Sequence, residues 1–421
     1  IETDPYCNYI MQVAVVGLGV AGSYCARELS NRGFVVTAFE AKDHPGGRTL
    51  TAPLAEGLLA EMGAEWISTD HRRVIKWLKS VSIVPVSTKH MPLGAWFGDD
   101  LTFRSTEWLD VANSFKATVK KCKAVTKSAR SSRFVDRIFI ECSKSERALK
   151  FLTAYCLDIF GCSPQRVTVE DWYEVASEET LSADEYRTVE GFQEAVKRTL
   201  VGINANYGWR AQRTDQGMVL TNGVDTRPFT DFDIVVLAVP LPIAVELAGI
   251  SDIDVYSDVS PVTMVRGGKV LLGFDYPWWR DEGWDGLLIT DKFIGTVWPQ
   301  QDRPVLCCYI TGSNVDHLNT LEDPIRATLD VIAERFPAAR TRFVGGLKLD
   351  WTADPFTRGI YSYVRSSVDY KHLLHRIKTN TGAFICGEFI SEEYGGYVEG
   401  ALESAERVIQ SLSSRQRGKG K

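Results

Sequence analysis

The stretch "VAVVGLGVAGSYCARELSNRGFVVTAFE", residues 13–40, decides the fold. Residues 13–16 are a short apolar run, the pattern of a strand buried on both faces of a parallel sheet. Gly17, Gly19 and Gly22 follow in G-x-G-x-x-G spacing, and Ala26 offers a small side chain where a helix must lie close to the strand. Ala21, Cys25 and Leu29 share one face of that helix. "GFVVTAFE" is a second buried strand, ending in Glu40. Gly17 permits the tight turn, Gly19 lets backbone N–H groups approach a pyrophosphate, and the helix N-terminus adds partial positive charge. Glu40 lies 18 residues after Gly22, where a carboxylate can accept ribose hydroxyls and would repel a 2′-phosphate. A bare glycine turn is the competing reading. The flanking strand, helix and acid weigh against it and for a dinucleotide site.

"HPGGRT" comes directly after Glu40, and with it Gly46, Gly47, Arg48 and Thr49. A simple NAD dehydrogenase would run from its second strand into another helix. Here a second glycine turn presents an arginine that can neutralise another face of the pyrophosphate or reach toward a flavin.

From here the sequence resembles the flavin-dependent amine oxidase family, which includes monoamine and polyamine oxidases. The resemblance covers most of the chain in separate blocks. The first extends through Glu40-Ala41 and Gly47-Arg48 to "AEMGAEWIS", residues 60–68, and resembles the family segment in which Gly63 and Ala64 lie against the flavin ring. It implies FAD contacts from Glu65 and Trp66 as well, and substrate contacts from Trp66 and Ser68. "VGINANYGWRAQRTDQGMVLTNG", 201–223, reads as strand segments joined by turns. In the family such a meander covers the adenine, and Ile203 stands where adenine is bound through backbone contacts.

"VRGGKVLLGFDYPWW", 265–279, resembles the family strand whose lysine, here Lys269, holds a water against flavin N5. A cation there would favour electron arrival at N5. A lysine on an exposed strand face is the plain alternative. "DWTADPFTRGIYSYVRSS", 350–367, resembles W-S-x-x-P-x-x-x-G-x-aromatic, with Trp351, Gly359 and Tyr361 in place. In some members a cysteine before the aromatic bonds the flavin; Ile360 stands here, which implies non-covalent FAD. "FICGEFISEEYGGYVEGALESAERV", 384–408, resembles the C-terminal flavin motif. The resemblance puts Gly387 and Glu388 over the phosphate–ribityl region and Gly395 and Gly396 beside the isoalloxazine. A helix beginning near Tyr397 and Val398 points its N–H groups at the flavin pyrimidine. Tyr361 and Tyr397 are then two walls of an aromatic cage.

The remaining composition sets bounds. A chain of 421 residues can bury two cores, and 44% hydrophobic with 24% charged residues is ordinary for a globular protein. A net charge of −6 argues against a nucleic-acid or anionic-membrane partner. Nine cysteines without C-x-x-C spacing read as reduced thiols of a cytoplasmic protein, and six histidines without ligand pairing imply no metal. No apolar run is long enough to span a bilayer.

The expected architecture is α/β: a Rossmann-like FAD-binding domain of the glutathione-reductase type with a mixed α+β substrate domain. The FAD domain is discontinuous, from residues 11–70, 190–265 and 350–415; residues 71–189 and 266–349 bind substrate. Residues 1–10 are expected to be a leader and 416–421 a tail, both disordered. The resemblance implies hydride transfer from the α-carbon of a small-molecule amine to flavin N5, with an imine as product and molecular oxygen as acceptor, giving hydrogen peroxide. Assembly as a homodimer stays open.

Trp66 stands where amino-acid oxidases carry a carboxylate-gripping arginine, although Arg72, Arg73 or Arg365 keep a tryptophan-like amino acid open. Ser68 stands where polyamine oxidases often carry an acid or a histidine, and Glu65, Asp70 and His71 keep that class open. Two further alternatives share the fold: a desaturase or porphyrinogen oxidase, and a non-catalytic binding module.

Overall fold

The computed structural model describes residues 10–88, 93–103, 108–128, 134–178, 185–257, 260, 262–284, 286–300, 303–364 and 370–418. Five strands form a parallel sheet in the order Asn204–Tyr207, Val35–Glu40, Gln12–Val16, Ile234–Leu237, Phe384–Ile385. Val15 pairs with Ala38 on one side and Val236 on the other, and all three are buried, so this centre is covered on both faces. The helix Val20–Asn31 packs on this sheet and against the C-terminal helix Val398–Gly418, which also touches the sheet at Phe384–Ile385. Ala26, Leu29, Leu402, Ala405 and Ile409 pack in that layer. An antiparallel meander, Arg210–Thr214, Gly217–Thr221 and Thr226–Pro228, stands beside the sheet.

The second unit is built on a seven-stranded sheet. Its order is Phe343–Asp350, Gly267–Phe274, Val305–Thr311, Thr296–Gln300, Leu287–Thr290, Leu93–Phe97, Asp100–Thr102. All eight residues of Gly267–Phe274 are buried, because both faces of the sheet are covered. Trp278, Trp279, Trp284 and Phe336 fill one side, with the helix Pro324–Arg335. Leu271, Trp298 and Cys307 pack on the other, toward the hairpin Thr51–Ala55 and Leu58–Glu61. The helices Leu109–Ser128, Asp136–Cys142, Glu146–Phe160 and Val169–Glu178 form a lobe with its own core around Phe139, Phe151 and Trp172.

The helix Arg72–Ser80, just past the expected boundary at residue 70, turns Val74, Trp77 and Leu78 into the same core as the parallel sheet. These residues are three and four apart and make one apolar stripe. Glu399, 1% exposed, caps the same helix from the C-terminal helix by accepting the N–H groups of Arg73 at 3.1 Å and Val74 at 2.9 Å. The C-terminal helix runs to Gly418, so it takes in residues 416–418 of the expected tail. No proline interrupts it, and extending a packed helix costs far less than starting one. Residues 1–9 and 419–421, the rest of the expected leader and tail, lie outside the described residues. Among the described residues no helix is long and apolar enough to cross a membrane, and no cluster of side chains could hold a metal ion.

Candidate active site

A cavity of about 760 Å³ runs from the carboxyl ends of the parallel strands to the face of the seven-stranded sheet. This is where open α/β sheets collect their ligands, and the volume suits a large one.

The dinucleotide end is built from backbone. Gly17 has φ +96°, and a Cβ there would meet the Ala238 carbonyl oxygen at 2.7 Å. Gly19 lines the cavity, and a Cβ on it would meet no atom nearer than 3.8 Å, so any side chain would project into ligand space. Ala21 also lines the wall. Gly22 does not: a Cβ there would lie 1.9 Å from the Gly17 carbonyl oxygen, so its part is helix-to-turn contact. The Glu40 carboxylate accepts the Leu18 N–H at 2.7 Å and the Lys42 N–H at 3.0 Å. It is thereby aimed, and each oxygen keeps a lone pair for a hydroxyl. Ala41 and Gly47 continue this wall.

Ile203 is not part of it. It packs half-buried in the dinucleotide core, ahead of the strand Asn204–Tyr207. That is the amino end of a parallel strand, while the ligand lies past the carboxyl ends. Trp209, Arg210 and Ala211, entering the meander, occupy the cavity wall instead, opposite Ile243 and Leu247.

In the middle, Arg48 donates from Nη1 to Glu388 Oε1 at 2.7 Å and to the Ile360 carbonyl at 3.2 Å. The other Glu388 oxygen accepts the Ser362 hydroxyl at 2.6 Å and the Gly396 N–H at 3.0 Å. Glu388 thus lines the cavity and ties three remote segments together. Gly63 and Ala64 pass close beneath; a Cβ on Gly63 would overlap the Arg48 carbonyl oxygen at 2.0 Å. Trp351, held by its Nε1–H on the Met62 carbonyl at 3.0 Å, lies on the wall, as do Gly387, Gly396 and Val398. Gly395 does not line the cavity.

The far end is built from side chains. Lys269 is 5% exposed, so it is not a surface lysine. Its Nζ donates to the Gly63 carbonyl at 2.8 Å and lies 3.6 Å from Glu65 Oε2. Glu65 also accepts the Gln300 amide at 2.7 Å and the Trp298 indole N–H, and Arg187 Nη2 stands 3.8 Å away. The Arg187 guanidinium lies over the Trp66 ring at 3.6 Å.

Tyr361 donates from Oη to the Ile159 carbonyl at 2.5 Å, and Tyr397 lines the cavity near it. Burial, first, and their neighbours hold the phenols of Tyr361 and Tyr309 well above the usual range. His71 packs on Tyr397 at 5.3 Å; burial lowers its pKa, and Nδ1 accepts the Ser68 N–H at 3.2 Å. Ser68 itself, on the strand Ile67–Ser68, does not line the cavity, and neither do Arg72 or Arg73. Arg73 is paired with Glu399 and Glu406, and Arg365 lies outside the described residues.

A glycine cradle at a helix N-terminus, an aimed acid and an arginine together fit a dinucleotide. A buried lysine and aromatic walls at one end fit a redox ring rather than a second nucleoside. The profile of the flavin-containing amine oxidoreductases matches residues 20–411. The chain belongs to this family. Its cofactor is FAD, and its fold is the Rossmann-like FAD-binding fold of that family. A protein of Mycobacterium tuberculosis, named provisionally as the flavin-containing monoamine oxidase AofH, is 22% identical over an alignment 447 positions long, covering 96% of this chain and 97% of that one. Cyclohexylamine oxidase from Brevibacterium oxydans superposes with a TM-score of 0.74 at 18% identity, covering 97% of this chain and 100% of the other. Putrescine oxidase bound to putrescine gives 0.72 at 18%, covering 96% and 99%.

The motif blocks omitted Asp158, Thr296, Trp298 and Tyr309, all on the wall of this amine oxidoreductase's cavity. Three of them come from buried strands whose sequence reads as core. Asp158 comes from the last turn of a helix, where a carboxylate reads as solvated.

Proposed function

We propose that the chain oxidises the CH–NH or CH–NH2 group of a small amine, releasing an imine and, with oxygen as acceptor, hydrogen peroxide. The convergence of Lys269, Tyr361 and Tyr397 on the end of the cavity remote from Glu40 supports this reading. FAD, when bound, supplies the hydride acceptor at N5. Ile360 offers no nucleophile to bond it, so it is held by contacts alone.

Tyr361 and Tyr397 present neutral aromatic faces between which an uncharged amine docks, and these faces favour cation-like character developing at its α-carbon. The Gly63 carbonyl and Glu65 fix Lys269 as a positive charge beside that centre. Gln300, Trp298 and Arg187 keep Glu65 in place. His71, held neutral, buttresses Tyr397 without adding a competing charge.

The test is anaerobic mixing of the yellow protein with monoamines, diamines and amino acids. Bleaching of the flavin absorbance by amines, with peroxide released when air is readmitted, supports the reading. No bleaching by any amine, but bleaching by a hydrocarbon or tetrapyrrole donor, moves the chain to the desaturase class. A colourless protein that takes up no FAD removes the enzyme reading.

A further inference from the structure

The side chain that nothing above employs is Asp158. It lines the amine end of the cavity from the last turn of the helix Glu146–Phe160, beside Tyr309, Tyr361 and Thr296. Its Oδ1 and the Thr296 hydroxyl are both buried and neither makes a well-formed hydrogen bond, although Thr296 stands near enough to stabilise the carboxylate. No lysine or arginine pairs with it among the described residues, whereas two other buried acids of the cavity are tied: Glu388 to Arg48, and Glu65 to Lys269 and Arg187.

Two costs fall on this carboxylate. It has lost its water, and it stands at the negative end of a helix, where a cation is favoured and an anion is not. Burial pushes its carboxyl up to about 7, with the nearby Thr296 hydroxyl pulling the other way. An acid in such a place with no basic partner among the described residues is the complement of a positively charged ligand group.

Its position says which group. Tyr361 reaches the backbone beside it, with Oη on the Ile159 carbonyl at 2.5 Å and 3.5 Å from the Asp158 carbonyl. Asp158 therefore belongs at the hydroxyl tip of one cage wall, displaced from the space between the two rings. The nitrogen being oxidised must be uncharged and sit between the rings. A charge on Asp158 then belongs to a second nitrogen, a few carbons along the same molecule. We infer that Asp158 is a specificity residue that holds the distal ammonium of a diamine and repels the carboxylate of an α-amino acid. This inference rests on the amine-oxidase reading for its substrate end only; the binding it asserts can be measured without turnover.

The experiment uses the FAD-loaded protein, reduced with dithionite under argon so that no amine is consumed. Calorimetry then gives Kd for α,ω-diaminoalkanes from propane to hexane and for n-alkylamines of equal length. The expected result is about 10- to 100-fold tighter binding of the best diamine than of its monoamine partner, the range of one charge-assisted hydrogen bond. Asp158→Asn removes that preference while leaving monoamine binding within about twofold. Asp158→Glu, which keeps the charge, retains a preference shifted to a shorter diamine.

Equal affinity for diamines and monoamines in the unaltered protein overturns the inference. So does an Asn variant that keeps the preference, or one that weakens both series alike. Oxidised protein then separates the two readings. Diamine preference without bleaching by any amine retains Asp158 as an anchor and removes the oxidase. Amine bleaching without diamine preference does the reverse.

Discussion

The two ends of the one cavity are made differently. At the Glu40 end the ligand meets backbone: glycines with positive φ, helix N–H groups, and an acid aimed by main-chain donors. At the Tyr361 end the wall is made of side chains from remote stretches, among them those around residues 65, 158, 269, 296, 309, 361 and 397. Backbone geometry recognises what every member of a cofactor class shares. Side chains decide what differs among substrates, and they can change one at a time without disturbing the cradle.

The largest effect should come from breaking the backbone end. Gly17→Val places a β-branched residue at φ +96° against the Ala238 carbonyl, and the purified protein should carry no flavin, read as the absorbance ratio of flavin to protein. Next, Lys269→Met should leave FAD bound yet slow single-turnover kinetics by about 10²- to 10³-fold, the usual loss of one aimed charge. An unchanged rate would put the lysine's part in the structure alone.

Asp158→Asn sharpens the contrast through stability. The carboxyl rises from 3.8 unfolded to about 7 folded, so the native state binds more protons between these values. Stability therefore falls as pH rises through that window and stays penalised above it. The Asn variant should match the parent near pH 4 and exceed it by about 1–3 kcal/mol at pH 8 in denaturant titrations. A difference of the opposite sign would mean the charge is satisfied in the folded protein.

Tyr397→Ala should cost about tenfold in kcat/KM for amines with the flavin content unchanged, in keeping with one aromatic face. The smallest effect belongs to neither end. Glu399→Gln weakens the cap on Arg72–Ser80 and should lower the unfolding free energy by about 1 kcal/mol with turnover intact.

The same asymmetry governs what could be read from the residues. Gly17, Glu40 and Arg48 announce themselves because a turn, a strand end and a glycine loop each demand a residue type at a fixed spacing. The parallel sheet follows from those signals. Sequence order does not say at which end of a strand Ile203 falls, and the parallel pairing of Asn204–Tyr207 with Val35–Glu40 puts it at the amino end, off the cavity wall. Asp158 gave no signal, since a lone acid in a helix of mixed character is solvated in most proteins. Only the packing of the Leu287–Thr290 and Val305–Thr311 strands against that helix encloses it. Glu388 was legible as a cofactor-side acid, but its bonds to Arg48, Ser362 and Gly396 depend on three segments meeting in space.

Those bonds set a timetable. The glycine cradle is synthesised first, yet the carboxylate that locks Arg48 lies 340 residues downstream, and the last strand of the parallel sheet, Phe384–Ile385, comes just before it. A chain still on the ribosome holds half a pocket with an unsecured arginine and an open sheet edge. Cofactor capture therefore waits until Glu388 has been made, and a chain that stops short of it leaves the pocket open and Arg48 unsecured.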